Sequence, residues 1–185
     1  MKRLTLMMTM FLLLLAGNTM AQQVERELTK AERKALQARI DSLQFAEAEQ
    51  AINNRAFTLE ADQVVFKYGQ TAYVTSNTNF VSVNDDEAVV QTAFNIPISG
   101  PNGLGGVTVE GSTSDYQVKK DKKGNVLLSF NTMGTGISAR VDITLYQGNY
   151  KASVTITPNF NSNRITLNGV IVPIEKSSVF KGRSL

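Results

Sequence analysis

Ile137-Ser138-Ala139-Arg140-Val141-Asp142-Ile143-Thr144-Leu145 decides the fold class. Every odd position is apolar and every even one polar, with Ala139 as the small member of the apolar set. A period of two belongs to an extended strand with one buried and one wet face. The same alternation returns at Tyr150, Ala152, Val154 and Ile156, after the turn residues Gln147-Gly148-Asn149. It returns again at Ile165 and Leu167, beyond a polar loop at 158–163. Three alternating runs joined by short turns predict a three-stranded antiparallel meander.

Upstream of this meander the pattern predicts strands at 63–67, 71–75, 79–83, 87–96, 106–110, 114–119 and 126–131. Tyr68-Gly69-Gln70, Asn84-Asp85-Asp86 and Lys122-Lys123-Gly124-Asn125 mark turns between several of them. Strands this closely spaced, with no helical pattern between them, predict a mainly β domain. Its antiparallel meander forms either a curled, barrel-like sheet or a sandwich. One N-terminal amphipathic α-helix precedes it, at 30–53. Thr29-Lys30-Ala31-Glu32 fits a capping box, and Leu28, Ala31, Ala35, Leu36, Ile40 and Leu43 recur at three- and four-residue steps. That stripe is expected to cover the β domain, with partner binding as the alternative. The periodicity weakens over 45–52, and Asn53-Asn54 offer residues that tolerate the left-handed conformation ending a helix.

Residues 1–21 have another character. Lys2 and Arg3 precede an apolar run at 4–16, and Thr19-Met20-Ala21 places small residues where a signal peptidase reads. The run falls short of the roughly 20 residues that span a bilayer. A secretory signal peptide cleaved between Ala21 and Gln22 is therefore expected. The remaining divisions are a flexible mature N-terminus at 22–29, one helix-plus-β domain at 30–175, and a C-terminal tail at 176–185. The expected address is the periplasm or the medium.

The formal net charge of +3 falls to near neutrality once Lys2 and Arg3 are removed. No general electrostatic attraction to nucleic acid is expected of such a chain. Cysteine is absent, so no disulfide holds the fold and no lipid anchor attaches through a thiol. Histidine is absent too, which excludes Ser–His and Cys–His nucleophiles and histidine-ligated zinc. No cofactor and no catalytic or metal-ligating residue is assigned.

Gly100, Asn102, Gly103, Leu104, Gly105 and Gly106 fall in the densest glycine segment. It lacks the Gly-Lys-Ser/Thr ending of a phosphate loop, and Val107-Thr108-Val109 after it reads as strand rather than helix. It is expected to be a loop that contacts a ligand or partner. Asp85-Asp86-Glu87 lacks the spacing of a calcium loop and reads as a hairpin tip. Lys119-Lys120-Asp121-Lys122-Lys123 lacks the interleaved aromatics of a single-strand binder and reads as a solubilising strand end. Phe80, Phe94, Phe130 and Phe160 read as core or rim.

Several blocks also share an order and spacing with a known family. They are Phe57-Thr58-Leu59-Glu60-Ala61-Asp62, Asn79-Phe80-Val81-Ser82-Val83, Asp86-Glu87-Ala88-Val89-Val90-Gln91, Gly105-Gly106-Val107-Thr108-Val109-Glu110-Gly111, Asp115-Tyr116-Gln117-Val118 and Asn168-Gly169-Val170-Ile171-Val172-Pro173. In this order the chain resembles the Bacteroidota family labelled domain of unknown function 4251, over about residues 30–173. The resemblance implies a small exported domain of Gram-negative gut and oral bacteria and carries over no activity or site residue. Many of those relatives look like lipoproteins, from which this chain departs by lacking the cysteine.

The leading functional expectation is a non-catalytic periplasmic binding or envelope-associated domain whose partner is a small apolar ligand or an envelope protein. The ligand version predicts an internal cavity lined by Phe130, Val141, Ile143 and Val154. One alternative is a carboxylate-dependent hydrolase of glycans or peptides, which needs acids such as Asp62, Asp85, Asp115 and Asp142 to converge, or a Ser–Lys pair. Another is an assembly component that docks through an exposed strand edge.

Overall fold

The structure, a computed structural model, describes residues 28–93, 106–135, 137–160, 164–182 and 184. The described residues divide into two units between Leu36 and Gln37. Helix α1 (Lys30–Asn53) runs from the first into the second. In the first unit the capping box closes as its sequence dictates. Thr29 N donates to Glu32 Oε2 at 2.8 Å, and Glu32 N donates to Thr29 Oγ1 at 3.3 Å. The bonds from Thr29, backbone first, hold the Glu32 carboxyl below its ordinary pKa.

The second unit is built on strands β1 (Ala56–Phe66), β2 (Thr71–Tyr73), β3 (Phe80–Asn84), β4 (Glu87–Ala93), β5 (Gly106–Lys120), β6 (Val126–Gly134), β7 (Ile137–Leu145), β8 (Lys151–Pro158) and β9 (Ile165–Pro173). Consecutive strands from β3 to β9 pair antiparallel, and β1 pairs with both β3 and β9. Eight strands thus close into a barrel, while β2 adds to the second half of β1. Of the two closures the sequence allowed, the barrel is the one formed. The meander β7–β8–β9 has the expected register, with Ile143 opposite Val154 and Val154 opposite Leu167.

Alternation directs Val141, Ile143 and Leu145 of β7, Val154 of β8 and Leu167 of β9 into one continuous core, each at most 2% exposed. Two strands break the alternation. On β1 the inward positions are Phe57, Leu59 and Ala61, then Val64, because a bulge at Asp62 inserts one residue. On β5 a bulge between Ser114 and Gln117 resets the register, with Asp115 at φ 54°. The expected strands 106–110 and 114–119 are accordingly one bulged strand.

The helix has the expected bounds but packs differently. Ile40 and Leu43 are 39% and 64% exposed, whereas Ala48, Ala51 and Ile52 are buried and Phe45 packs against them. The weakly periodic end seals the barrel beside the start of β1. The left-handed residue after the helix is Arg55, at φ 54°, rather than Asn53 or Asn54.

Candidate functional site

The candidate site lies at the end of the barrel away from the helix, where β4 and β8 finish and β5, β7 and β9 begin. Inward positions there form cross-strand pairs: Val90 with Val109, Thr92 with Val107, Ala139 with Pro158, and Ile156 with Ile165. Together with Ser138 and Phe160 they line a cavity of about 350 Å³, within the range of small-ligand pockets. Among the described residues its lining side chains are apolar apart from the hydroxyl groups of Thr92 and Ser138. Asn159 Nδ2 donates to Ser138 Oγ at 2.8 Å, and Asn159 N donates to the Ser138 carbonyl at 2.9 Å. Phe160, 84% exposed, stands at the rim. Among the described residues no titratable side chain lines the cavity, and what they offer is shape and apolar surface.

Two other regions are built with care. At the sealed end, Tyr116 Oη donates to the Ile52 carbonyl at 2.6 Å, satisfying one of the carbonyls the helix leaves free. The Tyr116 ring stacks on Phe130 with centroids 5.9 Å apart, and the Arg55 guanidinium lies 4.6 Å from its centre. Arg55 also pairs with Asp86 at 2.7 Å. Burial pushes the Tyr116 phenol well above its ordinary pKa, against the opposing pull of Arg55.

On the outer face of β3–β5 lies the C-terminal segment. Gln91, 0% exposed, donates through Nε2 to the carbonyls of Thr78 and Phe180, at 3.0 and 2.8 Å. Its Oε1 accepts from Thr108 Oγ1 and Gly182 N, at 2.7 and 2.8 Å. Glu110 accepts from Lys181 at 2.6 Å and from Ser184 Oγ, contacts that hold its carboxyl below the ordinary pKa, Lys181 first.

Of the expected site residues, Ala21, Gln22, Gly100, Asn102, Gly103, Leu104 and Gly105 lie outside the described residues, as does Phe94. Gly106 opens β5 opposite Ala93. Phe130, Val141, Ile143 and Val154 are at most 2% exposed and belong to the packed core. The cavity lies one rung beyond them, at Ala139 and Ile156. Phe80 is buried, and Phe160 stands at the rim.

Asp62, Asp85 and Asp115 are exposed and Asp142 is half-buried. They sit at the β1 bulge, the β3–β4 turn, the β5 bulge and the outer face of β7, so the register brings no pair together. Asp142 faces Arg140 at 3.1 Å, and Asp115 accepts from Asn131 at 2.9 Å. Asp85, Asp86 and Glu87 form the exposed hairpin tip. Among the described residues no group of three His, Cys, Asp or Glu side chains can hold a metal ion. In the basic run, Lys120 pairs with Glu49 of the helix at 2.7 Å, and Asp121 accepts the backbone N–H of Lys123 and Asn125. The linked roles of Arg55, Tyr116 and Gln91 had no sequence signal, because each depends on partners far away along the chain.

Fold and site together define a closed eight-stranded antiparallel barrel, with the helix end packed at one end and, among the described residues, a largely apolar cavity at the other. The chain belongs to the family described as domain of unknown function DUF4251, whose model matches residues 40–171. It is similar to the crystal structure of a DUF4251 family protein from Bacteroides eggerthii, at 51% identity and a TM-score of 0.67. That similarity covers 80% of this chain and 99% of the other. No curated protein matches the chain.

Proposed function

We propose that this protein is an exported, non-catalytic binding domain of the periplasm that takes up a small apolar molecule in the cavity at the end of its barrel away from the helix. The observation that carries the reading is the cavity of about 350 Å³ between β4–β5 and β7–β9, lined chiefly by Val, Ile, Ala, Pro and Phe. Barrel mouths are frequent sites of such binding. Export is supported by the signal-peptide pattern at 1–21, and release without a lipid by the absence of cysteine.

Binding is tested on the mature protein, residues 22–185, with the probe N-phenyl-1-naphthylamine, whose fluorescence rises in apolar surroundings. Saturable enhancement is expected. Ala139→Trp, which fills the floor, weakens it at least about ten-fold, as expected when a pocket loses its volume. Val107→Asp charges the rim without touching the core and weakens it as well. Probe binding that is absent, or unchanged in both folded variants, overturns the reading. The intact mass of protein recovered from a periplasmic fraction tests the address, with a chain beginning at Gln22 as the expected result.

A further inference from the structure

Another shaped surface lies on the outer face of the wall formed by β7, β8, β9 and β1. Leu145, Ala152 and Leu167 belong to the core, so alternation turns Tyr146, Lys151 and Asn168 outward. On β1 the bulge places two residues, Asp62 and Gln63, between the inward Ala61 and Val64, and bulges commonly re-aim a side chain in this way. Asp62, Tyr146, Lys151, Asn168 and Val170 all line one cavity of about 370 Å³. None of them lines the apolar cavity described above.

The groups gathered here are chemically mixed. Asn168 Nδ2 donates to Gln63 Oε1 at 2.6 Å, which orients the Asn168 amide and leaves its carbonyl oxygen and second N–H for other partners. Lys151 and Asp62 carry opposite charges into the same cavity, yet they form no ion pair with each other or with any other described residue. Tyr146 is 44% exposed, and Tyr73, 85% exposed, sits opposite Gln63 on β2. A strip of hydrogen-bonding groups thus runs between two exposed aromatic side chains.

We infer that this outer cavity is a saccharide site. A pyranose ring lies with its C–H face on the Tyr146 ring, while its hydroxyl groups bond to Asp62, Asn168 and Lys151. The chemistry of the donors selects this class. A carboxylate only accepts, an ammonium only donates and an amide does both, which matches adjacent hydroxyl groups that each donate and accept. The tyrosine ring supplies the apolar body that the C–H face needs. One positive and one negative charge give no net pull on an ion, so a neutral sugar is preferred to a uronate. The site is separate from the apolar cavity, and neither reading depends on the other.

The test is saturation-transfer difference NMR on the mature protein, residues 22–185, with methyl glucoside, methyl galactoside, methyl mannoside and N-acetylglucosamine. Glucuronate and glycine serve as comparators of other charge. Transfer to the ring C–H protons of at least one neutral sugar is expected, with a Kd on the order of 1 mM. Tyr146→Ala and Asp62→Asn should each weaken it at least about ten-fold, and Tyr146→Trp should retain it. Both positions are exposed, so Tm should not move, and an unchanged melt shows that each variant is folded. Absence of transfer to all four neutral sugars overturns the inference. Tighter binding of glucuronate or glycine than of every neutral sugar overturns the ligand class, and sugar binding that survives both weakening variants overturns the site. Each of these outcomes leaves the apolar cavity to be judged by its own probe.

Discussion

Arg55 takes the left-handed region at φ 54° to end α1, and from that position its side chain reaches both Asp86 and the Tyr116 ring. The ion pair is solvent-facing, with side chains 39% and 80% exposed, and pairs of that kind contribute about 0–1 kcal/mol. More depends on Tyr116, whose hydroxyl satisfies the Ile52 carbonyl at 2.6 Å beneath the guanidinium. Tyr116→Phe keeps the ring on Phe130 and leaves that carbonyl without its donor, so a loss of about 1–2 kcal/mol is expected. The phenol's pKa is raised in the folded state, chiefly by burial. Its contribution is therefore complete below the unfolded value of about 10 and is lost as the pH climbs above it. Urea unfolding should show the gap between wild type and Tyr116→Phe narrowing from pH 8 to pH 10.5. A gap that stays constant or widens would contradict the assignment.

Elements were legible wherever the period was unbroken. The run from Ile137 to Leu145 became β7 with those bounds, and β8 and β9 paired with it as the alternation required. The bulges at Asp62 and Asp115 shift the inward face by one residue, so periodicity read two strands where β5 is one. Helix α1 shows the converse: its best stripe includes the exposed Ile40 and Leu43, while small Ala48 and Ala51 pack on the barrel because they allow close approach. The ligand version of the expectation required a cavity among Phe130, Val141, Ile143 and Val154, and it is not there: all four are packed core, because alternation marks them as inward without showing how deep each sits. Gly169 was equally silent. A Cβ there would lie 1.9 Å from the Glu60 carbonyl oxygen, on the β1–β9 pairing that closes the barrel. Gly169→Ala must push that seam apart, at a cost on the order of 3 kcal/mol. A Tm lower by roughly 6–12 °C is expected in thermal melts followed by circular dichroism. A Tm unchanged within error would mean that the seam tolerates the separation.

Closure is a property of the whole second unit, and no local pattern contains it. Alternation tells which face of a strand is buried but not which strand completes the sheet, so barrel and sandwich remained equal until Phe57 was seen opposite Pro173 and Phe66 opposite Ile165. The C-terminal segment held by Gln91 is equally non-local, joining residues 89 and 91 positions apart along the chain. This division between local and distant pairing sets an expectation for folding. The meander from β6 to β9 needs only short turns, whereas the seam must close a loop spanning most of the unit, which costs more chain entropy. The meander should therefore form early and the seam late, with refolding in milliseconds to seconds as for other barrels of this connectivity. Ile143→Val, within β7, should slow folding. Ile171→Val, at the seam and 1% exposed, should leave the folding rate within about a factor of two and speed unfolding about five-fold, the kinetic form of a loss of about 1 kcal/mol. Stopped-flow chevrons on tyrosine fluorescence, the available signal in a chain with no tryptophan, distinguish the two. If Ile171→Val slows folding as much as Ile143→Val, the barrel closes in the transition state and the meander-first order is wrong.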